Sequence, residues 1–153
     1  MKRFITTVLL WIPLWAFASS DSPSAICFAD LPGEENIPLD TPGRIAISEL
    51  AISSTGEKAY IATEYIGTAN LQAEVYLLVN GKYCLAGELG SVVDFRANPK
   101  AISQGRFGLI AESKSGSDHF VRSFRFSSGK YIFSECHISS GKSESRKCTN
   151  GER

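Results

Sequence analysis

An all-β fold of two antiparallel meanders, packed as a small sandwich or partial barrel, is what this sequence predicts. Three observations carry that expectation. Short runs rich in Val, Ile, Tyr and Phe alternate with Gly, Asn and Ser turn signals at hairpin spacing. The chain matches itself without a gap at an offset of 48 residues, a period in the range of propeller blades. A chain of 153 residues, 43% hydrophobic and 21% charged, has the material for a single core, whereas two domains would each stand near the lower limit of independent stability.

At the N-terminus, Lys2 and Arg3 precede FITTVLLWIPLWAFA, which ends in the small-x-small pattern Ala16-Phe17-Ala18. This pattern predicts a signal peptide over residues 1–18, cleaved after Ala18, because an apolar stretch interrupted by Pro13 falls short of the roughly 20 residues that span a bilayer. Cys27 follows the bulky Ile26, so no lipid attachment and no stable membrane anchor are expected. The expected compartment is the periplasm or the exterior. There Cys27, Cys84, Cys136 and Cys148 meet oxidising conditions, and two disulfides follow. Four cysteines allow three connectivities. Preference goes to Cys136 with Cys148, fastening the end of the chain, and Cys27 with Cys84, fastening the mature N-terminus.

Residues 19–138 read as one β-rich domain. Its entry loop, 30–43, has the sequence DLPGEENIPLDTPG, with three prolines, two glycines and no periodicity. Strands are predicted at 44–48, 59–64, 74–79, 82–88, 106–112, 120–126 and 130–138, each bounded by turn residues. The stretch 45–53 has a mixed apolar pattern and is read as strand. Residues 139–153, SSGKSESRKCTNGER, have no apolar periodicity and read as a polar tail, part of which Cys148 ties back.

The self-match at offset 48 places Glu64 on Glu112, Tyr76 on Phe124, Leu78 on Phe126 and Gly81-Lys82-Tyr83 on Gly129-Lys130-Tyr131. Each copy reads as strand, polar loop, strand, tight Gly turn, strand: a duplicated meander whose aromatic residues are expected to alternate onto one buried face. Two copies do not close a propeller. Their faces are covered either by each other or by a second copy of the chain in a homodimer.

Sixteen basic residues balance sixteen acidic ones, which supplies no electrostatic footprint for nucleic acid. His119 and His137 belong to no catalytic motif, and neither a Gly-x-Ser-x-Gly elbow nor a His-Glu-x-x-His run is present. No enzymatic activity, cofactor or metal is therefore expected. Repetition accounts for Glu64 and Glu112, and Asp118 with Ser115 and Ser117 lacks the spacing of a calcium loop.

The stretch expected to carry recognition is the polar hairpin tip Ser128-Gly129-Lys130-Tyr131. It resembles the Ser-Gly-x-Tyr loop of bacterial periplasmic lysozyme inhibitors, over these four residues. The resemblance implies a small secreted β protein that inserts the loop into the substrate cleft of a lysozyme. Ser128 and neighbouring backbone would engage the catalytic carboxylates, and Tyr131 would support the loop. Immunity proteins against secreted peptidoglycan hydrolases share this design. A second reading, a non-enzymatic envelope-associated accessory protein contacting partners through its strand faces, stays open.

Overall fold

The computed structural model describes residues 26–31, 43–66, 70–141 and 144–149. The predicted signal peptide, most of the entry loop and the last residues of the tail lie outside them. Among the described residues, ten strands form two antiparallel five-stranded sheets. Sheet A contains β1 (Cys27–Phe28), β2 (Ile45–Ala51), β3 (Lys58–Tyr65), β4 (Leu71–Val79) and β5 (Lys82–Val92), in the order β1-β5-β4-β3-β2. Sheet B contains β6 (Asp94–Ser103), β7 (Arg106–Ser115), β8 (Asp118–Ser127), β9 (Lys130–Ser140) and β10 (Arg146–Lys147), in the order β10-β9-β8-β7-β6. The fold is thus the all-β pair of meanders, arranged as an open sandwich. The chain passes from one sheet to the other through the single residue Val93, whose N–H donates to the Glu112 carbonyl at 2.7 Å.

Alternation builds the core. Ala59, Ile61, Ala73, Val75 and Leu77 of sheet A meet Leu109, Ala111, Phe124, Phe126 and Tyr131 of sheet B in one buried cluster. Tight turns fix the hairpins: Asn80-Gly81, Gln104-Gly105 and Ser128-Gly129 all have positive φ at both positions, the geometry that matches the strands' right-handed twist. A smaller cluster joins Cys136, Ile138 and Cys148 beneath Phe120. Cys27 is bonded to Cys84 and Cys136 to Cys148, the preferred pairing.

Three strands were not anticipated. β6 carries Pro99 and a polar interior, features that argue against a central strand but are tolerated at this sheet edge, where a bulge lies between Asn98 and Ile102. On its other side β7 reaches across the sheets, the Phe107 N–H donating to the Ile52 carbonyl (2.6 Å). β1 and β10 are two residues each. β9 continues to Ser140, and β10 pairs with it beside the Cys148 that ties this part of the chain to Cys136.

The repeat holds in space with one slip. From their tips to Glu74↔Glu88 and Arg122↔Cys136 the β4–β5 and β8–β9 hairpins share one register at offset 48, including a bulge between Val75 and Tyr76 in one and between Ser123 and Phe124 in the other; β4–β5 then has a second bulge, between Ala73 and Glu74. Yet Ile61 faces Val75 whereas Leu109 faces Phe124, so the second hairpin docks on its preceding strand one residue out of step. A one-residue slip exchanges the faces of every side chain. The expectation that both copies bury their aromatics on one face therefore holds for sheet B alone. Phe126 is 2% exposed while its mate Leu78 is 52% exposed. Tyr131 enters the core, whereas Tyr83 packs edge-on against Tyr60 on the outer face (5.1 Å). The turns differ accordingly: β7 and β8 join through the two residues Gly116-Ser117, whereas residues 66–70 separate β3 from β4.

Candidate functional site

The tip of the β8–β9 hairpin is a two-residue turn at which Ser128 has φ 50° and Gly129 φ 83°. Glycine takes this left-handed conformation freely, whereas Ser128 is held there with its backbone N–H donating to Gln104 Oε1 at 3.1 Å. Gln104 belongs to the neighbouring β6–β7 turn, so two hairpin tips brace each other. Ser128, Gly129 and Lys130 are exposed.

Tyr131, the fourth residue of the motif, anchors the tip from below. Only 4% exposed, it donates its hydroxyl to the Phe107 carbonyl (3.2 Å) and meets Phe126 edge-on at 5.2 Å. Burial pushes its phenol up to about 12, against the opposing charge of Arg106. Arg106 lies over the Phe126 ring, 4.2 Å from its centroid, and its guanidinium forks onto both oxygens of Glu57 in the β2–β3 connection. Beside the tip opens an apolar cleft of about 650 Å³ between the sheets, framed by Ser128, Lys130, Val79, Leu77 and the Cys27–Cys84 disulfide.

Other residues singled out by sequence do not converge. Glu64 and Glu112 stand on different sheets and form no carboxylate pair. His137 approaches Glu135 at 3.7 Å, and Asp118 accepts a hydrogen bond from the Ser140 hydroxyl. Among the described residues no cluster of His, Cys, Asp and Glu could hold a metal ion. Glu112 accepts hydrogen bonds from Arg96 and, at 2.9 Å, shares one with His119 Nε2. The Arg96 hydrogen bond holds its carboxyl below the ordinary value, against burial, which raises it; the Arg96 charge and His119 add to the lowering. A carboxyl depressed in the folded state contributes stability that is present above its unfolded pKa and is lost as pH falls through the folded one. Glu112→Gln is therefore expected to be destabilised relative to the parent at neutral pH, with the two curves converging below about pH 4 in pH-dependent urea titrations.

Sequence reasoning missed Arg122. It occupies an inward position between Phe120 and Phe124 in VRSFRF, and a cation interrupting an aromatic alternation was the available signal. Compared with family models, curated proteins and solved structures, the chain has no significant match in any of the three.

Proposed function

We propose that this chain is an exported, non-enzymatic protein-binding protein of the periplasm or exterior that occludes its partner with the β8–β9 hairpin tip. The partner is most concretely a lysozyme-like peptidoglycan hydrolase, which makes the chain an inhibitor or an immunity protein. One observation supports this above the rest: of the two Gly-Lys-Tyr tips, only that of Ser128 is rooted in the core by its tyrosine, at the mouth of an apolar cleft. A tip rigid before binding loses little entropy on docking, and a hydroxyl beside an ammonium complements acidic groups. The two disulfides fit an oxidising compartment.

The test begins with a pull-down by the oxidised chain from Ser19 onward against envelope and secreted proteins, followed by activity assays on any hydrolase retained. Ser128→Ala is expected to weaken binding about tenfold or more, the worth of a hydrogen bond to a charged group, with thermal stability unchanged. Gly129→Val, forced to a φ of 83°, should disturb the tip itself. Intact affinity and inhibition in Ser128→Ala would remove the tip from the interface.

The accessory-protein reading has its own support on the outer face of sheet A. There Phe28 is 44% and Leu78 52% exposed, next to the Tyr60 and Tyr83 pair. It predicts that scanning substitutions cluster on that face and spare the tip.

A further inference from the structure

About 20 Å from the tip, six residues back along β8, the opposite end of the sandwich opens into a polar cleft of about 320 Å³ lined by Ser91, Ser113, Lys114 and Arg122. Arg122 is the unusual member. Its Nη2 donates to the Ser91 carbonyl and reaches the Ser113 hydroxyl at 3.5 Å, while Nε is buried without a partner. Among the described residues no carboxylate comes within ion-pair distance of it. Nη1 makes no hydrogen bond but is not buried, so it is the donor open to the cleft.

The surroundings keep that donor in place. Gly90, at φ 70°, lies where an added Cβ would come within 2.9 Å of Nη1, so the absence of a side chain there makes room for the guanidinium. Asn70 clamps the rim, donating through Nδ2 to the Lys114 carbonyl (2.9 Å) and accepting from the Lys114 N–H at Oδ1 (3.2 Å). Lys114 itself is exposed beside the opening. The Arg122 guanidinium and the Ser113 hydroxyl thus meet at a cleft with no carboxylate in its lining.

Withdrawing a cation from water without a counter-charge is costly, and the same low-dielectric setting strengthens its attraction for an incoming anion. We infer that this cleft binds the oxyanion group, carboxylate or phosphate, of a small ligand, with Arg122 Nη1 as the charged donor and Ser113 as a neutral one. Burial lowers the Arg122 pKa, in keeping with a guanidinium that lacks its counter-ion.

Isothermal titration of the oxidised chain with inorganic phosphate and, separately, acetate tests this at constant ionic strength. The expected result is saturable binding of one anion per chain with a Kd of about 1 mM or tighter, weakened about tenfold or more in Arg122→Met. Lys114→Ala, an exposed change on the other face of β7, and Lys82→Ala at a distant turn should each leave binding within about twofold of the parent. A preference for phosphate would assign a phosphorylated ligand and a preference for acetate a carboxylated one. Saturable binding of neither anion by the parent, or equal binding by the parent and Arg122→Met, overturns the inference.

Discussion

Phe126→Ala is expected to destabilise the protein by about 3–5 kcal/mol, the range for truncating a buried aromatic. The ring is 2% exposed, meets Tyr131 edge-on and carries the Arg106 guanidinium on its face. Its loss therefore removes a core contact, an aromatic pair and the seat of the Arg106–Glu57 bridge between the sheets. The matching truncation Leu78→Ala removes a side chain that is 52% exposed and should shift stability by only about 0.5 kcal/mol. Urea titration of both variants measures the difference directly. Equal costs would mean that the second hairpin docks in step with the first, contrary to the pairing of Leu109 with Phe124. Because Phe126 and Tyr131 together root the tip, Phe126→Ala should also weaken partner binding, though no residue of the tip is changed.

The second large effect concerns the covalent links. Removing the Cys27–Cys84 bridge by a double alanine substitution should cost about 4 kcal/mol in the chain-entropy account, since it closes a span of 57 residues. For Cys136–Cys148, which closes 12, the same reckoning gives about 3 kcal/mol. The consequences differ in place as well as size. Cys27 lies opposite Cys84 in the β1–β5 pair and walls the apolar cleft, so its loss should reach the tip. Cys148 caps the small cluster beneath Phe120, so its loss should free β10 and leave the tip intact. Denaturant titration of each double variant, paired with hydrogen exchange of the β9 amides, separates the two; a larger stability loss from the Cys136–Cys148 deletion would contradict the loop-length ranking.

Much of the fold was legible in the sequence because alternation, turn residues and the repeat pointed the same way. The seven anticipated strands all occur, with ends displaced where polar residues such as Ser115 and Asp118 continue a ladder that side-chain patterning does not mark. β6 was hidden because an edge strand need not alternate and may carry a proline. The register slip was hidden for a different reason: self-alignment compares residues with their copies, whereas pairing depends on which residues of the connection form the turn. That is why Tyr83 and Tyr131, identical in sequence context, face opposite ways. At the tip, the turn and its glycine were readable. The anchoring by Phe107 and the brace from Gln104 come from a neighbouring hairpin and required the fold. Arg122 was legible only as an oddity, since its isolation depends on which carboxylates the sheets leave out of reach.

The disulfides join the first cysteine to the second and the third to the fourth. A polypeptide threaded N-terminus first across a membrane presents Cys27 and Cys84 to an oxidant before Cys136 and Cys148 emerge. Under the proposed export, oxidation in order of arrival yields the native pairs directly, so the yield of correctly paired protein is expected to be insensitive to loss of a thiol-disulfide isomerase.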